Sequence, residues 1–224
     1  EKSNITNYVL SIDIEESTNT QNNNPVGVVS SNTLKIVLRS NDGTLLPDNE
    51  NSPYFGKMDN TAKVKVSVED AEGVVEFNDY YISSWISNTS SSNKNQVVIE
   101  ATDLLGIINK NSVPSMQVIK NANTKEIFRN TITELNKSLD DKYKIQYDES
   151  DFTFGNYDRL EYSNIDAEDM GTWFNILSQS TLTNIYYNRD NKLKTDFCLD
   201  DTPSESVCNL SDKVNVLSAS IDKG

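Results

Sequence analysis

The chain is predicted to be an α+β protein, mostly β: a small N-terminal β-barrel, a helix-plus-hairpin unit, and a strand returning toward a barrel at the C-terminal end. Three observations predict this. Short segments of alternating apolar and polar residues, separated by connections rich in Asn, Asp, Gly and Ser, recur at hairpin spacing through the first half. Two stretches of the second half change to a helical period. A further alternating segment follows near the end. At 224 residues the chain is long enough to bury a substantial core. The expected divisions are a barrel domain over 1–112, an α+β domain over 113–206, and the first strand of a second barrel segment over 207–224.

Taken in order, Tyr8, Leu10, Ile12 and Ile14 alternate and predict the first strand. Gln21-Asn22-Asn23-Asn24 is a polar loop. Leu34, Ile36 and Leu38 face one way and Lys35 and Arg39 the other, so 33–39 is a strand, broken by Asn41-Asp42-Gly43, residues that tolerate positive φ. Strands at 63–69, 74–86 and 95–102 follow, the last two joined by the polar tip Ser87 to Asn95. Near Asn111-Ser112-Val113-Pro114 the pattern changes. Asn123 with Glu126 resembles a capping box, and Ile127, Phe128, Ile132, Leu135 and Leu139 then share one helix side. A second helix is expected to be capped at Asp166, with Asp169 at its third position, an Ile165–Met170 staple, and a buried stripe of Met170, Trp173, Phe174 and Leu177. A hairpin follows: Asn184 to Tyr187, a turn at Asn188 to Asn191, then Lys192 to Phe197. The closing strand runs through Val214, Asn215, Val216 and Leu217.

The formal net charge is −14 and the pI near 4.4. Phosphate backbones and anionic membrane surfaces are gripped by clustered Lys and Arg, so both are poor partners for this chain. An acidic inner wall, if the charges lined one, would let DNA slide without sticking. No run of apolar residues is long enough to span a membrane, and Glu1-Lys2-Ser3-Asn4 is not a signal peptide. We expect material downstream of Gly224. The two cysteines, Cys198 and Cys208, are too few for a disulfide framework. Asn-x-Ser/Thr sequons at Asn4, Asn88, Asn136 and Asn209 are what chance gives in a chain rich in Asn and Ser.

The chain contains no histidine, which removes Ser-His-Asp and Cys-His nucleophile systems and most zinc sites. Walker, dinucleotide-binding and nucleophile-elbow motifs are absent as well. Paired carboxylates remain: Asp13 with Glu15 or Glu16, Glu69 with Asp70, and Asp148 with Glu149 and Asp151. With 34 acidic residues, close pairs are unavoidable and read as solvated faces. No segment has the calcium-loop spacing, since Asn188-x-Asp190-x-Lys192 fails at its third ligand. Strand parity puts Tyr80 with Ile82 and Ile86, and Tyr81 with Trp85. The three aromatics read as core or subunit packing, with a sugar-stacking platform as the competing reading. We therefore expect no catalytic residue, no cofactor and no metal.

Several of these pieces stand in a distinctive order. A bend around Pro25-Val26-Gly27, the strand ending at Asn41-Asp42-Gly43, and Ser52-Pro53-Tyr54-Phe55-Gly56 are followed by Asn78-Asp79-Tyr80-Tyr81-Ile82-Ser83-Ser84-Trp85. Next come Val97 through Asp103-Leu104-Leu105. This order resembles the N-terminal part of phage baseplate and tail-tip hub proteins, of contractile tails and phage-tail-like bacteriocins. Ile176-Leu177-Ser178-Gln179-Ser180 leading to a strand and an Arg189-Asp190-Asn191-Lys192-Leu193 turn is similar to the same family, with Asn191 where a Gly is usual. The resemblance implies a homotrimer whose tube-like barrel domains form a ring joining the tail tube or distal tail protein to the central spike. Tape-measure protein or DNA would pass through the ring as cargo. It also implies assembly in the bacterial cytoplasm, hence reduced thiols, and a place in the virion or tail-like particle. Two other readings stand beside it: a carbohydrate- or receptor-binding module at the tail tip, and the non-catalytic N-terminal part of a tail-associated cell-wall hydrolase.

Overall fold

Alternation dictates the first layer. Lys63 to Glu69 and Thr33 to Arg39 place β-branched or aliphatic side chains on every second position, which suits a sheet with one buried face. In the structure, a computed structural model, the strands β1 (Val9–Glu15), β3 (Thr33–Arg39), β4 (Lys63–Glu69), β5 (Val74–Ser87) and β6 (Gln96–Thr102) form a five-stranded sheet in the order β1-β3-β6-β5-β4. Every neighbouring pair is antiparallel. The sheet curls into an open half-barrel. Described are residues 4–16, 27–40, 43–56, 62–69, 73–87, 96–115, 118, 120–155, 159–162 and 167–198. The expected strand at Val214 to Leu217, the loop at Gln21 to Asn24, most of the Ser87–Asn95 tip, Asp70, Ile165, Asp166 and Cys208 lie outside them.

The second half packs around helices α2 (Thr124–Ser138) and α3 (Met170–Thr181). A short strand β2 (Val29–Ser30) runs parallel to β9 (Thr183–Tyr187), which pairs antiparallel with β10 (Leu193–Phe197). Two further short strands, β7 (Lys120–Asn123) and β8 (Arg159–Tyr162), pair antiparallel. A one-turn helix α1 (Leu104–Ile108) follows β6 directly. Asn123 caps α2 as expected, its Oδ1 accepting from the Lys125 and Glu126 amides. Ile127, Phe128, Ile132 and Leu135 are buried along it. Phe128 sits among Phe152, Phe154, Trp173 and Phe174, with ring centroids 4.8 to 6.2 Å away.

The cap of α3 differs from the expectation. Asp169 is the cap, its Oδ1 accepting from the Thr172 amide at 2.7 Å, so the helix starts after Asp169 rather than after Asp166. The reason is tertiary. Asp169 is held extended by a bridge to Ser112, and the Met170 and Gly171 amides donate to the carbonyls of Asn111 and Asn109. The stripe of Met170, Trp173, Phe174 and Leu177 is buried as the period requires.

There are two cores. One fills the curled sheet with Leu34, Ile36, Leu38, Val66, Tyr80, Ile82, Val97, Ile99 and Ala101, and is capped by Leu45 from the 43–56 connection. The other gathers Leu104, Leu105 and Ile108 of α1 with α2, α3 and the β9–β10 hairpin. Strand β5 serves both: Tyr80 enters the first core and its neighbour Tyr81 the second. Strict parity fails one residue later. The register shifts between Ile82 and Ser84, a bulge that returns Trp85 to the side of Ile82 and turns Ile86 out to solvent. Trp85 packs on Tyr54 with centroids 5.2 Å apart.

Backbone demands explain two turn residues. Asn191 takes φ +59°, the left-handed conformation expected where a Gly is usual, and its Oδ1 accepts from the Asp79 amide at 2.6 Å. Gly27, at φ +74°, passes so close to the end of α3 that a Cβ would lie 2.8 Å from the Ser178 carbonyl oxygen. Gly56, at φ +66°, has open space around it. Gly27→Ala should therefore lower stability by roughly 2–3 kcal/mol and Gly56→Ala by about 1 kcal/mol, read from urea unfolding midpoints.

Candidate functional site

Two places combine polar chemistry with burial or concavity. The first is the seam where the curled sheet is open. Ile12 and Ile14 of β1, Val66 and Val68 of β4, and Phe77 of β5 line a cleft of about 430 Å³, with Glu16 and Arg189 at its mouth. Arg189 comes from the β9–β10 turn. Its Nη2 lies 2.7 Å and its Nε 3.1 Å from Glu16 Oε2, and its guanidinium lies over the Phe77 ring at 5.1 Å. This ties the hairpin of the second half to the end of β1. An exposed pair of this kind contributes little stability, on the order of 1 kcal/mol or less, but it fixes the edge of the cleft. The walls are apolar, four aliphatic side chains and one phenyl ring, and the charged lining residues Glu16 and Arg189 are paired with each other.

The second place is the junction of the two cores at Asp103. Its carboxylate accepts from the Asn32 amide at 2.7 Å and from the Gly106 amide at 3.0 Å, the latter as the cap of α1. In return the Asp103 amide donates to the Asn32 carbonyl at 3.0 Å. Burial pushes the Asp103 carboxyl up to about 6, against the opposing pull of its backbone hydrogen bonds from Asn32, Gly106 and Leu105. The same burial raises Tyr80 to about 12 and Tyr187 well above the ordinary phenol, and the Asp103 charge adds to both. The hydroxyls of Tyr80 and Tyr187 are buried without a protein hydrogen-bond partner, as is Ser30 Oγ.

Among the described residues, the carboxylates named from the sequence do not converge. Asp13, Glu15 and Glu69 are exposed, and Glu16 is held by Arg189. Asp148, Glu149 and Asp151 face three separate cations, Lys192 at 2.5 Å, Arg129 at 3.5 Å and Lys194 at 3.2 Å. No group of three metal-ligating residues occurs among the described residues. The aromatic trio makes no sugar platform: Tyr80 and Tyr81 are buried in different cores, and Trp85 is covered by Tyr54. The Asn136 amide is occupied by Ile145, donating to its carbonyl at 3.0 Å and accepting from its N–H at 2.8 Å. None of the helices described is long and apolar enough to cross a membrane. Sequence reasoning named Asp103 and Arg189 only as members of longer motifs and gave neither a role of its own. For Asp103 a signal existed, since an acid directly before Leu104-Leu105-Gly106 can cap a helix. For Arg189 there was none, because its partner lies far away in sequence.

No protein-family model matches the chain, and no curated protein does. Among solved structures it is similar to the 43 kDa tail protein of prophage MuSo2 from Shewanella oneidensis, with TM-score 0.45 and 9% identity over 76% of this chain and 47% of that one. It is also similar to the tail protein from Neisseria meningitidis MC58, with TM-score 0.43 and 13% identity over 74% of this chain and 41% of that one. The chain thus spans less than half the length of either.

The raised Asp103 value has a consequence for stability. Its folded value, about 6, lies above the ordinary 3.8, so folding favours the protonated form. The stabilisation from this group is complete below the ordinary value and is lost as pH rises through about 6. Asp103→Asn removes that titration. The stability of the unaltered protein relative to Asp103→Asn should therefore increase by on the order of 2–3 kcal/mol between pH 7.5 and pH 4. Urea unfolding of both proteins across that range measures it, and a constant difference would contradict the assignment.

Proposed function

We propose that this chain is a structural subunit of a phage tail or phage-tail-like particle, and within it a baseplate or tail-tip hub protein. The observation that carries the reading is the ordered set of motifs from Pro25 to Leu105, joined by the helix–strand–turn unit from Ile176 to Leu193. The described parts of those motifs lie in β3, the 43–56 connection, β5, β6, α1, α3 and the β9–β10 hairpin. Gly27 and Asn191 answer backbone demands of that arrangement.

On this reading the curled sheet is the greater part of a ring-forming barrel. Three copies make the ring between tail tube or distal tail protein and spike, and tape-measure protein or DNA passes through as cargo. The mechanism is geometric: subunit contacts set the bore, and no bond is made or broken. Exposed apolar side chains such as Tyr8, Val74 and Ile86 are suited to contact between subunits. The excess of carboxylates suits a channel through which a polyanion slides without binding.

Light scattering behind size exclusion tests this directly. The monomer is 25.2 kDa, and the reading expects a species of roughly three times that mass, showing a central hole in negative stain. A monomer that persists at high concentration would count against the ring.

A further inference from the structure

We propose that the open seam of the curled sheet is a docking site for an extended segment of another polypeptide, aliphatic at alternate positions and basic at its N-terminal end. The segment adds to the sheet as a strand antiparallel to both β1 and β4. The first argument is parity. Each neighbouring pair in the order β1-β3-β6-β5-β4 is antiparallel, so the two edge strands point the same way. Five alternating strands cannot close on themselves with antiparallel pairing throughout. One incoming strand, opposed to both edges, satisfies two rows of edge amides and carbonyls at once. No strand among the described residues takes that place.

Burial gives the second argument. Side chains facing into the sheet from its middle strands are sealed: Ile99 is 0% exposed and Ile36 2%. On the same face Ile12, paired with Ile36, is 41% exposed, and Val68 on the other edge is 51%. These two edges face each other across the cleft of about 430 Å³. A cleft walled by isoleucine, valine and one phenyl ring takes up aliphatic side chains, and a strand offers them at every second position.

Charge fixes the polarity of the occupant. Because the edges point the same way, their C-terminal ends lie together, and each ends on a carboxylate, Glu15 on β1 and Glu69 on β4. Both are exposed, and neither is paired with a cation among the described residues. At the other end of β4 the cations Lys63 and Lys65 are already held by Asp79. Since Ile12 and Ile14 and Val66 and Val68 face the cleft, the alternating Glu15 and Glu69 face outward. An antiparallel occupant brings its N-terminal end between these two carboxylates. Outward-facing lysine or arginine there meets an acid on either side, whereas acidic residues are repelled.

A labelled synthetic peptide, two lysines followed by Val-Thr repeats, tests this on the full chain, independently of any role in a tail. Fluorescence anisotropy should show saturable binding, and the reversed sequence, with its lysines at the C-terminal end, should bind about tenfold more weakly. Glu15→Gln combined with Glu69→Gln should erase that preference, and Val68→Lys should abolish binding of both peptides. Amide exchange read by mass spectrometry should show the peptide slowing the outer amides of β1 and of β4 by at least about tenfold. No binding, equal affinity for the two peptides, binding insensitive to Val68→Lys, or protection at one edge alone overturns the proposal. Edges protected without peptide overturn it as well: in the monomer they assign the seam to the chain itself, and in a species of higher mass to a second copy.

Discussion

The carboxylate of Asp103 is the constraint on which the arrangement of the two cores depends. It sits where β6 ends and α1 begins, and it accepts amides from both sides of the junction, Asn32 before β3 and Gly106 within α1. Water cannot substitute easily there, because the group is almost completely enclosed. The chain therefore bears the desolvation of a charge to hold together a turn, a strand end and a helix start. Leu104, Leu105 and Ile108 enter the second core at the angle this junction sets.

The second half is braced differently. Its ion pairs, Asp148 with Lys192, Asp151 with Lys194 and Glu149 with Arg129, lie at the surface, where each contributes little on its own. What holds that half is aromatic packing around Phe128 and the insertion of β2 beside β9. The insertion is pinned at Val28, whose amide donates to Asn184 Oδ1 at 3.0 Å and whose carbonyl accepts from the Ile185 amide at 2.9 Å. These acids are thus each answered by a cation of their own at the surface.

Much of this was legible in the sequence, and the failures have physical causes. The strands at 33–39 and 63–69 were readable to the residue because alternation there is unbroken and one face is buried. Helix α2 was readable because its cap and its stripe are both local. The start of α3 was not, because it is set by amides donating to Asn109 and Asn111, a contact that no local pattern records. The facing of Trp85 was misjudged because a bulge at Ser83 has no sequence signature in this strand. Strands β2, β7 and β8 and helix α1 escaped because elements so short draw their stability from their neighbours. The seam was invisible for the same kind of reason: Ile12 and Val68 look like ordinary buried positions until the sheet order makes them edges.

Adjacent residues of β5 entering different cores has a mechanical consequence. Tyr80 and Tyr81 act as two pins on one rod, so a slip of that strand by one residue would withdraw both at once. It would also drive Asp79, held outside by Lys63 at 2.6 Å and Lys65 at 3.2 Å, toward the interior of the sheet. A pull on the helical half is then delivered to the sheet through an element that cannot creep. Sliding of β5 is thereby coupled to both cores at once, so neither half can shift along it without disturbing the other.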